Sequence, residues 1–330
     1  MAVYTHLGAE ELSALIAQYE VGSLVSAKGI AEGVSNSNWL IETTGADGAS
    51  GRASDGGARF ILTMYERRIE LDDLPYFLGL LDHLSAKGSP VPRTIHDRAG
   101  ASFRMEQGKA VALIEFLPGV SPNRPTPKQA RELGKTLARM HFHAKDFAHN
   151  RANTMGFAQN LKTLQRCGEA GLASIHADLP QMLKPARDAA ALDLSALPQS
   201  QIHADLFPDN VLMLDDAVSG LIDFYFACTG PMALDLAVTH AAWAFDPQTG
   251  AYDPQIGTAL LEGYEWQRRL TKEERALLPE LAKGAALRFV ASRAEDWLDT
   301  PDDALVTRKD PMQFVARWHS YNEKGAQIFA

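Results

Sequence analysis

Patterns typical of strands and patterns typical of helices are segregated along this chain instead of alternating. Three short strand-like pieces, separated by glycine and asparagine, lie between residues 24 and 64, whereas apolar residues at helical spacing dominate after residue 126. Alternating βαβ units predict a parallel sheet, but segregation is typical of α+β proteins. The sequence therefore predicts an α+β fold of two lobes, with a small antiparallel sheet in 1–117 and mostly helices in 118–330.

The elements of the first lobe are predicted from local patterns. Apolar residues at helical spacing indicate two helices, 9–19 and a second that begins near Asp72 and stops before Gly88. The predicted strands are 24–27, 38–42, 59–64 and the buried strand 110–117. The Gly-, Ser- and Asp-rich segment 45–58 is predicted to be a hairpin tip. Pro118 and Gly119 mark the lobe boundary.

The second lobe begins with a clear helix start. Thr126 is placed to cap it, Pro127 occupies the first helical position, and Gln129 completes a capping-box pattern. In residues 200–225 the run VLML, the turn DDAVSG and the run LIDF predict a hairpin. Helical patterns resume from residue 231.

The net charge and the two cysteines limit the kinds of ligand and the cellular setting that we expect for this protein. The 32 Lys and Arg residues against 41 Asp and Glu give a net charge of -9 without a basic block, which argues against nucleic acid or anionic membrane as a partner. A small molecule is the expected ligand. Cys167 and Cys228 lack metal-ligand spacing and indicate a reducing, cytoplasmic setting. The N-terminus lacks a signal-peptide pattern, and no apolar run reaches the roughly 20 residues of a membrane span.

A dense set of oxygen-bearing side chains lies around the predicted hairpin. If Leu214 pairs with Leu221, Asn210 and Asp223 become diagonal neighbours on one face, about 7 to 8 Å apart at the backbone. A carboxylate and an amide oxygen that converge in this way suit magnesium bound together with substrate phosphates. Asp205 lies on the loop that enters the hairpin, where a carboxylate can reach a substrate hydroxyl, and is the candidate base.

Local turn formation is the alternative explanation for acidic residues near a hairpin, because Asp and Asn side chains often bond to nearby backbone. We prefer this explanation for Asp209, Asp215 and Asp216. It fits Asp223 poorly, since the strands on either side look buried and an acid there is costly unless something pairs with it.

These residues resemble known motifs. His203, Asp205 and Asn210, followed by Ile222-Asp223-Phe224, look like the H-x-D-x-x-x-x-N and metal-binding I-D-F motifs of the aminoglycoside phosphotransferase and choline kinase superfamily. That superfamily has a two-lobed, protein-kinase-like fold, and the resemblance covers nearly the whole chain. The segments GIAEGVSNSNWLI, FILTMYE, LPYFLGLLDHL and DFYFACTGPMALDLA are similar to its bacterial homoserine kinase branch, which is unrelated to the GHMP kinases.

The resemblance implies roles for individual residues. It makes Asp205 the catalytic base and has Asn210 and Asp223 hold magnesium, with His203 and Asp235 as supporting residues. ATP is the implied nucleotide. The hinge from Glu115 to Leu117 would meet adenine through its backbone, and the loop containing Gly33 and Ser35 would cover the phosphates through backbone amides. Two glycines four residues apart are also typical of a plain turn.

One position departs from the superfamily pattern. Thr63 lies on the third predicted strand, where the superfamily usually presents a Lys or Arg to the nucleotide phosphates. Lys28, Arg67 and Arg68 are possible replacements, and the sequence does not choose among them.

An amino-acid substrate needs a cation for its carboxylate and a polar or aromatic partner for its ammonium. Arg288 and Arg293 are candidates for the first role, and we prefer Arg293, for which a salt bridge on the surface or between the lobes is the alternative. Asn36, Asn38, Tyr225 and Trp243 are candidates for the second role. His141 and His143 form an H-x-H pattern, but residues two apart on a helix point to different sides, so packing is the favoured interpretation.

The expected function is ATP-dependent phosphorylation of L-homoserine, a step of threonine biosynthesis, with magnesium bound to the nucleotide. A kinase of choline, hydroxylysine, methylthioribose or an aminoglycoside is the first alternative, because substrate pockets diverge within one fold. A metal-dependent hydrolase and a catalytically silent nucleotide-binding protein are the other two.

Overall fold

The chain divides into two compact units, Met1–Pro118 and Gly119–Ala330. In the described residues the first unit holds an antiparallel sheet and two helices, and the second is mainly helical. This architecture confirms the predicted α+β fold. The computed structural model describes residues 7–30, 36–45, 57–66, 70–301 and 308–330.

The sheet of the first unit is antiparallel at every described pairing, as the sequence predicts. Its strands follow the spatial order β1-β2-β3-β6-β4, and β5 pairs with β6. They are β1 (Leu24–Ile30), β2 (Asn36–Thr43), β3 (Ala58–Tyr65), β4 (Thr94–Ile95), β5 (Arg104–Glu106) and β6 (Lys109–Glu115). Most of the predicted hairpin tip, residues 46–56, lies outside the described residues.

The two helices of the first unit follow their sequence signals to different degrees. Helix α2 (Leu74–Ala86) is followed by Gly88 at φ +78°, the left-handed conformation expected of a helix terminator. Helix α1 (Ala9–Ile16) ends earlier than the predicted helix 9–19. Tyr19 instead forms a β-bridge with Asp97, and its buried ring packs in the core between α1 and the sheet. Tertiary packing overrides the helical periodicity there.

The second unit consists of seven described helices and two small two-stranded sheets. The helices are α3 (Pro127–Ala144), α4 (Phe157–Ile175), α5 (Leu183–Ala190), α6 (Met232–Trp243), α7 (Pro254–Gln267), α8 (Lys272–Asp299) and α9 (Met312–Ile328). Strand β7 (Gln199–Ile202) pairs with β10 (Cys228–Pro231), and β8 (Val211–Leu214) pairs with β9 (Ala217–Leu221). None of the helices in the described ranges is long and apolar enough to cross a membrane.

Helix α3 begins as its sequence predicts and packs closely on α7. The Thr126 side chain accepts from the Gln129 backbone N–H at 3.2 Å, and the Gln129 side chain accepts from the Thr126 N–H at 3.0 Å. Gly134 on α3 and Gly263 on α7 lie at the contact. A Cβ at either position would overlap the backbone of the other helix. These glycines therefore set the spacing between α3 and α7.

Replacing Gly263 with alanine is expected to lower the free energy of unfolding by about 2 to 3 kcal/mol, because the added methyl overlaps the Arg131 carbonyl. Gly171→Ala on α4 is the matched control. There the methyl meets only the flexible end of Leu298, so the better helix propensity of alanine should leave stability unchanged or slightly higher. Urea unfolding followed by circular dichroism measures both, and equal effects of the two variants would contradict the prediction.

Candidate active site

The loop from β7 to β8 and the end of β9 bring the central predicted residues together. His203 directly follows β7, Asp205 lies on the loop, and Asn210 ends a single 3-10 turn just before β8. Asp223 comes two residues after β9. The Ile222 N–H donates to the Asn210 carbonyl oxygen at 3.0 Å, which fastens the end of one strand to the start of the other.

The hairpin register differs from the prediction. Val211, not Leu214, pairs with Leu221, and Leu214 pairs with Ala217 across a two-residue turn. Residues 217–220 therefore belong to β9 instead of to the turn. Asp215 at φ +53° allows the tighter turn, and a bulge after Leu212 absorbs one extra residue. The pairing of Leu214 with Leu221, from which Asn210 and Asp223 were expected to be diagonal neighbours, was therefore wrong.

Neutral His203 links the loop to the residue before Asp223. Its ring is buried, and burial lowers its pKa. Nε2–H donates to the Ile222 carbonyl at 2.9 Å, so Nδ1 is the acceptor, and the Asp205 backbone N–H donates to it at 3.3 Å. This single tautomer couples the backbone at Asp205 to the backbone at Asp223. His203 therefore supports the backbone of this loop.

Asp205 is held from two sides. The Asn210 side-chain amide donates to the Asp205 backbone carbonyl at 2.8 Å and lies 3.5 Å from Oδ2. On the other side, Nη2 of Arg288 donates to Oδ1 at 3.2 Å. The Asp205 side chain is 18% exposed, so solvent still reaches it. Of its two carboxylate oxygens, Oδ2 has the longer protein contact.

Asp223 is an exposed carboxylate in a strained backbone conformation. Its φ of +65° and ψ of +59° lie in the left-handed region, which non-glycine residues seldom adopt and which is common at functional sites. The surrounding protein and the charges of Asp205 and Asp209 raise the pKa of Asp223 to about 7. The side chain is open to solvent at its surface, and repulsion by the two like charges adds to the larger effect of burial by the surrounding protein. A cation bound beside Asp223 would relieve that repulsion.

The donor set fits magnesium better than a transition metal. Asn210 and Asp223 offer hard oxygen ligands, and the Asn210 amide nitrogen is turned towards Asp205, which leaves its oxygen for another partner. Within the ranges that the structure describes, no group of three or more His, Cys, Asp or Glu side chains could hold a metal. Two protein ligands are typical of a magnesium ion that phosphate oxygens and water also coordinate.

A buried carboxylate on α6 supports the loop. Asp235 accepts from the backbone N–H groups of His203 and Ala204, both at 2.7 Å, and from Nε2 of His141 at 2.9 Å. Burial alone would raise the pKa of Asp235, but the hydrogen bond and charge of His141 hold it below its usual value. Ala204 has a φ of +63°, so this carboxylate stabilises a strained backbone directly before Asp205.

His141 is the supporting residue whose role the sequence analysis missed. Its Nδ1 lies 2.9 Å from the Tyr264 hydroxyl on α7, and its ring is fully buried. The H-x-H pattern of His141 and His143 resembles a metal-binding pattern, but the sequence favours packing as its interpretation. A better signal was available, because His141 lies four residues after Leu137 on the apolar face of α3, where a polar ring needs a specific partner.

Replacing Asp235 with asparagine is expected to lower the free energy of unfolding by about 3 kcal/mol, because the amide nitrogen would replace one carboxylate oxygen and its N–H would face at least one of the donors that now bond there. Tyr264→Phe removes only one hydroxyl from the same network and is expected to cost about 1 kcal/mol. Denaturant unfolding compares the two. If the free energy of unfolding falls no further in Asp235→Asn than in Tyr264→Phe, the Asp235 carboxylate does not provide the main stabilisation of the loop.

The predicted substrate residues of the second unit have different surroundings. Nη1 of Arg293 donates to the Asp310 carbonyl and to Oε1 of Gln313, each at 2.8 Å, so this nitrogen is engaged at the start of α9. Arg288, and not the preferred Arg293, is the arginine that contacts Asp205. Tyr225 is half-buried in the 3-10 turn that directly follows Asp223.

The predicted nucleotide residues belong to the first unit. Gly33 and Ser35 lie outside the described residues. Asn36, a predicted substrate residue, is the buried first residue of β2, and its Oδ1 has no hydrogen-bond partner among the described residues. Glu115 ends β6, where its N–H donates to the Arg93 carbonyl at 3.0 Å, and Leu117 lies two residues beyond.

Thr63 does not replace the missing cation of the third strand. Its hydroxyl donates to Oδ1 of Asn38 at 2.8 Å, and the side chain is buried. Lys28 is exposed on β1, while Arg67 and Arg68 lie outside the described residues.

The fold has close counterparts among solved structures. An amicoumacin kinase in complex with AMP-PNP, Ca²⁺ and Ami matches with a TM-score of 0.71 at 14% identity, over 96% of this chain and 94% of that one. A spectinomycin phosphotransferase matches with a TM-score of 0.67 at 13% identity, over 98% of both chains. At such identities the likeness concerns the fold alone, and it confirms the kinase-like architecture predicted from the motifs.

Curated relatives are much more similar in sequence. The homoserine kinase of Acidiphilium cryptum (strain JF-5) is 45% identical over 99% of this chain and 98% of its own length. That of Xanthobacter autotrophicus (strain ATCC BAA-1158 / Py2) is 44% identical over 96% of this chain and 95% of its own. Residues 26–299 also match the phosphotransferase enzyme family. With a family match across most of its length and relatives this similar, the chain belongs to the phosphotransferase enzyme family.

Proposed function

We propose that this protein transfers the γ-phosphoryl group of ATP to the hydroxyl of L-homoserine and forms O-phospho-L-homoserine. The observation that carries the proposal is the identity of 42 to 45% over nearly the full chain to proteins named homoserine kinase. The local geometry supports the same reaction class, because one carboxylate is open to a hydroxyl and two further oxygen ligands lie beside it. Because the proposed reaction consumes ATP and an amino acid, we also propose that the protein is located in the cytoplasm.

In the proposed reaction Asp205 orients the substrate hydroxyl and accepts its proton on Oδ2. The hydroxyl oxygen forms the new bond to the γ-phosphorus, and the bond from that phosphorus to the bridging oxygen breaks with its electron pair leaving on ADP. Asn210 and Asp223 would hold magnesium, which supplies positive charge to the phosphate oxygens. Phosphoryl transfer depends mainly on positioning and charge neutralisation, so these few groups suffice.

Further roles are proposed on the motif resemblance. Gly33 and Ser35 would contact the nucleotide phosphates through backbone amides, and Glu115 and Leu117 would contact adenine through backbone groups of the hinge. Asn36 and Tyr225 are proposed for the substrate ammonium. The proposal for Arg293 as the carboxylate ligand is weakened by its bonds to Asp310 and Gln313.

A coupled ADP assay over a panel of acceptors tests the proposed function. The panel contains L-homoserine, choline, hydroxylysine, methylthioribose and kanamycin, with an acceptor-free control. We expect acceptor-dependent ADP formation with L-homoserine at a kcat/KM at least about 100-fold above the others, since a site that bonds polar substrate groups rejects analogues that lack them.

Other outcomes of the panel identify the alternatives. Preference for another acceptor would keep the reaction class and replace the substrate. Phosphate release in the acceptor-free control would indicate a hydrolase. A thermal shift with ATP and magnesium but no turnover of any acceptor would indicate a silent nucleotide-binding protein.

A further inference from the structure

Arg288 is a buried cation whose bonding is incomplete. It lies on α8 with 5% of its surface exposed, and Nη2 donates to Oδ1 of Asp205. In the described part of the chain, its Nε and Nη1 are shielded from solvent and have no hydrogen-bond partner. Burying a guanidinium with two unpaired nitrogens costs stability. Such a group calls for an explanation other than its own contribution to folding.

Aromatic rings fix the position of this guanidinium. Its central carbon lies 5.2 Å from the ring centre of Phe226 and 4.7 Å from that of Phe289. Phe289 in turn packs edge-on against Phe207, which belongs to the same loop as Asp205, at 4.8 Å between ring centres. The cation–π contacts and this packing hold the guanidinium and the loop in one arrangement.

The cavity beside Arg288 is small. The arginine lines a cavity of about 10 Å³, together with Asn153, Met155, Phe157, Ala204, Leu234, Val238 and Ala285. That volume accommodates about one water molecule. An amino acid does not fit in that cavity.

We infer that Arg288 is a positioning residue that acts on phosphoryl transfer through Asp205. By binding Oδ1, it orients the carboxylate so that Oδ2 faces the acceptor hydroxyl. Its charge also offsets the mutual repulsion of Asp205, Asp209 and Asp223, which would otherwise turn the Asp205 side chain away. This inference rests on the proposed role of Asp205 as the base, and it does not depend on which alcohol is the acceptor.

Arg288→Met removes the charge and keeps the apolar length of the side chain, whereas Arg288→Lys keeps the charge. We expect Arg288→Met to lower kcat about 100-fold, the scale of a misplaced reacting group, with KM for the acceptor and for ATP within about threefold. The kcat of Arg288→Lys should be about tenfold higher than that of Arg288→Met. The acceptor is the one that the substrate panel identifies.

Arg317→Met is the matched control. Arg317 is also a buried arginine with an unpaired Nε in the described structure, and it also stacks on two rings, those of Phe245 and Phe314. Its Nη1 donates to the Ala241 carbonyl. Thermal unfolding should show a loss of stability for this variant, while its kcat stays within about threefold of the wild type.

A double-variant cycle with Asp205→Asn separates positioning from other roles. If Arg288 acts through Asp205, adding Arg288→Met to Asp205→Asn should lower the residual rate less than threefold. A further 100-fold loss in that background would overturn the inference, as would a tenfold rise in acceptor KM with kcat retained. Equal losses of kcat for Arg288→Met and Arg288→Lys would also overturn it.

If Arg288→Met does not fold, the cycle is run with Arg288→Lys, for which about a tenfold loss in kcat is expected. Full activity of Asp205→Asn alone would instead refute the proposed base.

Discussion

Asp205→Ala is expected to lower kcat by about three orders of magnitude while the dissociation constant for ATP with magnesium changes less than threefold. The reason is that Asp205 would be the group that accepts the proton of the acceptor hydroxyl, and general-base catalysis contributes about 10² to 10⁴ in rate. Asp205→Asn, which keeps the shape of the side chain, should lose nearly as much. The coupled ADP assay measures kcat, and isothermal titration calorimetry measures nucleotide binding.

Asp209→Asn is the control for this prediction. Asp209 lies on the same loop, four residues further along, and its side chain is exposed. We expect its kcat to stay within about threefold of the wild type. Retention of most activity in Asp205→Ala, or an equal loss in Asp209→Asn, would remove Asp205 from the role of base.

The second large effect is expected at Asp223. Asp223→Asn should raise the magnesium concentration needed for half-maximal nucleotide binding at least tenfold, and lower kcat/KM by about 1,000-fold. A neutral amide lacks the charge that a hard divalent cation requires of its few protein ligands. The measurement is a magnesium titration of ATP binding, followed by kinetics at saturating magnesium.

Asp216→Asn is the matched control, because Asp216 is an acid of the same hairpin that pairs with Lys128 at the turn. Its magnesium titration should coincide with that of the wild type. An unchanged magnesium titration for Asp223→Asn would place the metal elsewhere. The proposal that Asn210 and Asp223 together bind magnesium would then be wrong.

Features set by neighbouring residues could be predicted from the sequence. The start of α3 follows from the types of residue at Thr126, Pro127 and Gln129, because a capping box is made within four residues. The position of Asp205, Asn210 and Asp223 at one end of the hairpin was also predictable, since chain connectivity brings both ends of a short hairpin together. The hairpin register was not, because a two-residue turn and a bulge shifted every pairing.

Features that depend on packing between distant segments could not be read from the sequence. Arg288 and Arg293 lie in one apolar stretch of α8, and spacing alone does not distinguish them. Their roles follow from what packs beside each: Phe226 and the Asp205 loop beside Arg288, and the start of α9 beside Arg293. In the same way, the partner of His141 is Asp235, which is 94 residues away in the chain.

Phosphorus NMR of one reaction mixture tests the central claim most directly. The mixture contains the wild-type protein, ATP, magnesium and L-homoserine, and a parallel sample contains Asp205→Asn. The account predicts a phosphomonoester signal that is coupled to the methylene protons of homoserine and grows in step with ADP in the wild-type sample only. Inorganic phosphate without this ester, or an equal ester signal from Asp205→Asn, would contradict it.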